Sequence, residues 1–184
     1  MVLGDSLAAG FGLPSAQAFP ARLEAALRAR GHDITVVNAG VSGDTSAGGL
    51  ARLDWVLRQA SPRFAIVEFG GNDGLRGLSP AQMQENLGRI VARLKAANVG
   101  VLLAGMLAPP NLGRDYGDEF NAVFARVAEQ HQIALYPFFL DGVAADPTLN
   151  QQDGIHPNAQ GVERIVARIL PYVERLIAAP ARGS

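Results

Sequence analysis

Residues 64–74 read Phe-Ala-Ile-Val-Glu-Phe-Gly-Gly-Asn-Asp-Gly. The first six are apolar except for Glu68, and a glycine-rich polar turn follows at once. A half-buried strand alternates polar and apolar residues. A continuous run that ends in such a turn marks a strand covered on both faces. Four more segments of strand length flank it: Met1–Leu3, Ile34–Asn38, Val99–Ala104 and Ile133–Tyr136, beside Phe64–Phe69 itself.

Helical periodicity fills the intervals. Phe19, Leu23, Ala26 and Leu27 form one apolar stripe, stopped by Gly31. Leu50, Leu53, Val56 and Leu57 form a second, ended near Pro62. A third begins at Ser79-Pro80 with Gln82 in the capping-box position and runs through Leu87, Ile90, Val91 and Leu94. Phe120, Val123, Phe124 and Val127 give a fourth, and Val162, Ile165, Val166, Ile169 and Leu170 a fifth. Five strand–helix alternations predict an α/β fold with right-handed crossovers. The expected architecture is a single-domain, three-layer α/β/α sandwich over residues 1–184. Its parallel sheet of five strands is flavodoxin-like, in the order 2-1-3-4-5.

Bulk properties agree. At 184 residues the chain suits one domain, and 48% hydrophobic against 18% charged residues supplies one good core. A net charge of -1, with no basic run, gives nucleic acid nothing to bind. Without cysteine there is no disulfide, thiolate nucleophile or Cys-held metal, in either redox compartment. No apolar stretch is long enough for a membrane span, and no signal-peptide pattern is present. The first strand is short, so the chain reads as starting inside an element.

In such folds ligands bind at the carboxyl ends of the strands, where the strand order switches. The segments expected there are 4–12, 40–46, 70–78, 106–116 and 137–157. The first contains Gly4-Asp5-Ser6-Leu7, a serine just past a strand and before a turn of helix, placed to present its hydroxyl above the sheet. The last contains Asp153-Gly154-Ile155-His156-Pro157. An imidazole takes and returns protons near neutrality. An aspartate three residues earlier, across a glycine turn, can hold one ring nitrogen so that the other faces the serine. Of three histidines, His32 lies at the opposite edge of the sheet and His131 at a helix carboxyl terminus where a cation is ordinary, leaving His156. Gly43, in Gly40-Val41-Ser42-Gly43-Asp44-Thr45, and the amide of Asn72 are candidate donors to a developing oxyanion. Taken alone, the Ser6, Gly43 and Asn72 segments read first as turns or helix caps, and the His156 segment reads as well as a turn before a helix.

Together, Ser6, Gly43, Asn72 and His156, in this order, resemble the four blocks of the SGNH hydrolases, the superfamily of the GDSL esterases. The wording is close at 4–7, at Gly70-Gly71-Asn72-Asp73 and at 153–157. The stretches 38–45 and 70–77 are similar to the bacterial branch of multifunctional acyl-CoA thioesterase, protease and lysophospholipase enzymes and arylesterases. The resemblance implies catalytic residues Ser6, Asp153 and His156, and an oxyanion hole from the Ser6 and Gly43 amides plus Asn72. It also implies no metal or other cofactor, and a mobile loop at Gly74–Leu78. The expected function is serine esterase or thioesterase action on short- to medium-chain acyl or aryl esters, with acyl thioesters and lysophospholipids as further substrates. Leu75, Leu78, Met106, Leu107, Leu112 and Phe138 are expected to line the acyl pocket.

The same residues admit rival readings. Ser42 partly mimics a nucleophile elbow, but Asp44 stands where a glycine belongs. Glu68 reads as a buried structural carboxylate, and Asp5 as a brace for the Ser6 turn. A metal-dependent phosphoesterase would need Asp5, Asn72, Asp73, Asp153 and His156 around an ion, with one histidine only. A non-catalytic ligand-binding module on the same fold is the other alternative. The partner expected is a small ester or thioester, with no nucleic acid and no membrane span, the chain acting as a monomer or small homo-oligomer. The resemblance favours the periplasm or secretion; the sequence leaves the cytoplasm open.

Overall fold

The computed structural model describes residues 1–179. Strands β1 (Val2–Gly4), β2 (Asn38–Gly40), β3 (Phe64–Glu68), β4 (Gly100–Ala104) and β5 (Ala134–Tyr136) pair in parallel, in the order β2-β1-β3-β4-β5. The residues of β1 are wholly buried, as are nearly all of β3 and β4, which is why their sequences do not alternate. Gly4 is the register point of the site: it lies opposite Gly40 on one side and Glu68 on the other.

The second strand departs from expectation. It begins at Asn38, and Ile34–Val37 stay outside the ladder. The Ile34 N–H turns back on the His32 carbonyl at 3.0 Å, and the Val36 N–H is taken by the Glu24 carboxylate at 2.8 Å. Only at Val37, whose carbonyl accepts from the Val2 N–H, does the chain reach the sheet. An edge strand has one neighbour to register on, so a helix carboxylate competes for it successfully.

The helices are α1 (Ser6–Ala9), α2 (Phe19–Ala29), α3 (Ser46–Ala60), α4 (Gly71–Leu75), α5 (Pro80–Ala96), α6 (Arg114–His131) and α7 (Ala159–Ala178). Helices α2 and α7 pack together, and α5 packs against both α3 and α6, giving the two outer layers. Ser79 caps α5 by accepting from the Gln82 N–H, while the Gln82 side chain turns to Glu85, so the capping box is half made. Five fully buried phenylalanines, Phe19, Phe69, Phe120, Phe124 and Phe139, fill the core between the layers.

Two close approaches bring the chemistry-bearing segments together. A Cβ on Gly40 would lie 2.3 Å from the Ala9 backbone nitrogen, so α1 rests directly on β2. On Gly4 it would lie 2.6 Å from a Glu68 carboxylate oxygen. The first obstacle is backbone and cannot give way. Gly40→Ala is therefore expected to lower stability by about 1–3 kcal/mol, read as a reduced urea midpoint with an unchanged slope.

Candidate active site

Where β1 ends, the chain turns once at Asp5 and enters α1 with Ser6 as its first residue. The Asp5 side chain caps the helix, Oδ1 accepting from the Leu7 N–H at 3.0 Å. Gly10, in the left-handed region at φ 84°, closes it. First-turn amides have no acceptor within their own helix, and the Ser6 N–H has no partner among the described residues. The backbone thus offers an unspent donor beside the Ser6 hydroxyl.

The second segment is a loop folded on itself. Asn150 and Pro157 pair across it, and the Gln151 N–H donates to the His156 carbonyl at 2.8 Å. Gly154 takes the turn at φ 69°. Asp153 Oδ1 then accepts from the Ile155 and His156 amides at 2.9 and 3.0 Å, and Oδ2 meets His156 Nδ1 at 2.7 Å. On the other side of the ring, Nε2 lies 2.9 Å from Ser6 Oγ. A carboxylate on Nδ1 fixes the proton there, so Nε2 is left to accept from the hydroxyl.

The backbone amides of His156 and Ile155, with the ring itself, hold the Asp153 carboxyl down at about 2. A depressed acid stabilises the fold above its ordinary value of 3.8, and that contribution is lost as pH falls through about 2. Asp153 is thus ionised over the whole range in which the imidazole works.

Two contacts bind this loop to the Ser6 turn. Phe11 lays its ring on His156 with centroids 4.5 Å apart. The Gln151 side-chain amide donates to the Phe11 carbonyl at 2.7 Å and to the Pro157 carbonyl at 3.0 Å. Neither residue was singled out by sequence, because an aromatic in a glycine turn and a lone glutamine carry no pattern.

Gly43 and Asn72 sit across from these. The Gly43 N–H has no partner among the described residues, while its carbonyl accepts from Arg76 Nη2 at 2.7 Å. Arg52 pairs with Asp44 and donates to the Gly4 carbonyl at 3.0 Å, pinning this loop to β1. The Asn72 amide is not idle. Its two hydrogens go to Asp5 Oδ2 at 3.0 Å and to the Asp44 carbonyl at 2.9 Å. To reach a substrate oxygen it must exchange one of them.

Around Asn72 the chain is helical, not an open turn. Gly71–Leu75 form α4, and the following residues bond back to it: Arg76 N–H to the Asn72 carbonyl, Gly77 N–H to Gly74, Leu78 N–H to Asp73. Gly74–Leu78, expected as a mobile loop, is the end of this turn, with Tyr116 donating to the Leu78 carbonyl at 2.8 Å. Asp73 accepts from both the amide and the hydroxyl of Ser46, at 2.9 and 2.6 Å, and Asn86 donates to the same hydroxyl. This buried brace between α4, α3 and α5 left no sequence signal.

The cleft above Ser6 and His156 encloses about 470 Å³ and its walls are largely apolar. Leu75, Met106, Leu107 and Phe138 line it as expected; Leu78 and Leu112 do not. Phe11, Leu140 and Ile155 add to the wall. A larger cleft of about 700 Å³ opens at the opposite edge by His32 and Arg63, but no hydroxyl there is bonded to an imidazole. Ser42 lies on the rim of the first cleft with no base. His131 ends α6 outside this cleft, and burial and then Lys95 lower its pKa. Among the described residues no three His, Asp or Glu side chains are placed to hold a metal ion, so the phosphoesterase alternative lacks its ligand set.

Comparison with known proteins gives concordant results. The model of the GDSL-like Lipase/Acylhydrolase family matches residues 2–164. Esterase TesA of Pseudomonas aeruginosa is 44% identical over 177 residues, covering 96% of this chain and 88% of that protein. Thioesterase 1/protease 1/lysophospholipase L1 of Escherichia coli K12 is 44% identical over 158 residues, 86% of this chain and 74% of that protein. The crystal structure of TesA superposes with a TM-score of 0.91, covering 95% of this chain and 97% of its own.

The geometry makes a direct test. Asp153→Asn keeps acceptors for the loop amides but puts an NH₂ opposite Nδ1, forcing the wrong tautomer. Labelling of Ser6 by a fluorophosphonate, followed by mass spectrometry, is expected to slow by about 10³–10⁴-fold without loss of fold.

Proposed function

This chain belongs to the GDSL-like lipase/acylhydrolase family and is a serine ester hydrolase, and on that premise we propose that Ser6, His156 and Asp153 perform acyl transfer on small apolar esters and thioesters. The observation that carries the residue assignment is the unbroken line from the Asp153 carboxylate through His156 to the Ser6 hydroxyl, at 2.7 and 2.9 Å, opening on an apolar cleft.

The steps follow from the bonds described. His156 Nε2 takes the Ser6 proton as Oγ attacks the carbonyl carbon, and Asp153 supports the imidazolium. The carbonyl oxygen, now anionic, is received by the unspent Ser6 and Gly43 amides. Asn72 joins them by giving up its bond to the Asp44 carbonyl, a neutral acceptor weaker than an oxyanion. That exchange is favourable only once charge has developed, which is what stabilises a transition state over a bound substrate. The tetrahedral centre collapses, the bond to the leaving oxygen or sulfur breaks, and His156 returns its proton to that atom. Water then repeats the sequence on the acyl-enzyme.

An apolar wall of leucine, methionine, phenylalanine and isoleucine supports acyl and aryl groups over sugars or nucleotides. The relatives' names, esterase and thioesterase/lysophospholipase, support ester and thioester substrates, and short- to medium-chain acyl groups are the proposed acyl range. Residues 1–184 act as one hydrolase domain in this reading. No described helix is long and apolar enough to cross a membrane, and the family resemblance supports work in the periplasm or outside the cell.

Ser6→Ala is expected to cut p-nitrophenyl ester turnover by about 10⁴-fold or more while the circular dichroism spectrum is retained; a mutant that still turns over would refute the assignment. Asn72→Ala is expected to lose about 10²–10³-fold in kcat with little change in KM. Excess chelator is expected to leave the wild-type rate unchanged, the outcome a metal-dependent phosphoesterase would not give.

A further inference from the structure

Glu68, the one charged residue type in an otherwise apolar strand, has no part in the steps above. Its side chain is wholly buried at the end of β3, passing over Gly4 to the floor of the nucleophile turn. Oε2 accepts from the Asp5 N–H at 3.4 Å, and the Ala8 amide also faces the carboxyl. Oε1 is buried and has no hydrogen-bond partner among the described residues. No lysine or arginine among the described residues bonds to the carboxyl: Arg52, which reaches this end of β1, is spent on the Gly4 carbonyl and Asp44. Asp5, itself buried, is the next acid, close enough for a side-chain hydrogen bond between the two carboxyls.

Two adjacent acids in a dry site cannot both be ionised. Asp5 is the better supported anion. Leu7 N–H and the Asn72 amide donate to it, and His156 favours its charge, against burial and the more distant Asp73. Glu68 has only the long Asp5 bond and the Ala8 amide as donors, an oxygen without a partner, and Asp5 as neighbour; burial and that neighbour together push it well above the usual carboxylate range. We propose that Glu68 is a positioning residue that stays protonated and donates its hydrogen bond to the Asp5 carboxylate, fixing the acid that aims Asn72 and caps the Ser6 helix. In the resulting chain Glu68 holds Asp5, Asp5 holds Asn72 and Leu7, and these set the oxyanion donors. The Glu68 carboxyl shares with the Glu68 carbonyl and Ala8 the space that a side chain on Gly4 would need.

The inference rests on the acyl-transfer reading, and its test separates the two. Glu68→Gln retains an NH₂ to donate to Asp5 and an oxygen to accept from the Asp5 amide. Its kcat is expected within about threefold of wild type. Glu68→Leu removes the donor. Its kcat is expected to fall about tenfold or more with KM within about twofold, since the pocket is untouched. Losing a donor also raises the Asp5 pKa, so the acid limb of the kcat profile is expected to move to higher pH in Glu68→Leu and not in Glu68→Gln. Wild-type kinetics in Glu68→Leu, or equal damage in both variants, would overturn the proposal while wild-type esterase activity still upheld acyl transfer. Should Glu68→Leu not fold, infrared difference spectra of wild type minus Glu68→Gln at pH 8 decide: a lost protonated-carboxyl C=O band supports the assignment, and a lost carboxylate band ends it.

Discussion

The site depends on one geometric constraint: at the carboxyl end of β1 the backbone must lie within contact distance of both neighbouring strands' ends. Gly4 and Gly40 are opposite each other in register, and neither has room for a methyl group. That closeness seats α1 on β2 and puts Ser6 at a helix amino terminus above the sheet edge. It also sets the Gly43 loop and α4 to either side, where Arg52, Arg76 and Asn72 lock them. A parallel sheet with a central short strand delivers these segments to one place without any of them being long.

What is built there is electrostatically costly. Two acids are buried beside Ser6, and desolvation raises Asp5 to about 6 despite its donors. For an acid raised on folding, stability is greatest at low pH and is lost as pH rises through the folded value. The working range of an imidazole base lies on the unfavourable side of that change. The fold therefore gives up stability where the chemistry runs, a pattern expected of groups held for orientation and not for packing. Asp153 behaves oppositely, because it is half-exposed and surrounded by donors.

Much of this was legible in the sequence for identifiable reasons. Continuous apolar runs distinguish doubly covered strands, and β1, β3, β4 and β5 fell within a residue or two of their expected ends. Ser6, His156 and Asp153 stood out because hydroxyl, imidazole and carboxylate sat at the strand ends where the topology gathers loops. The structure brings all three into one hydrogen-bonded line. The second strand was misplaced because an edge strand's register is set by competing partners, here Glu24. Helix α4 was hidden by Asn-Asp-Gly, a turn signal overridden by the Asp73–Ser46–Asn86 brace. Leu78 and Leu112 lie outside the pocket lining, which apolarity alone does not fix.

The bonds from Gln151 to the Phe11 and Pro157 carbonyls, with Phe11 lying on His156, make the Ser6 and His156 loops one mechanical piece. Neither loop can swing out alone without abandoning contacts to the other, so local opening separates hydroxyl and imidazole in a single event. Partial disorder at this edge would switch the molecule off outright instead of leaving a sluggish, half-assembled catalyst.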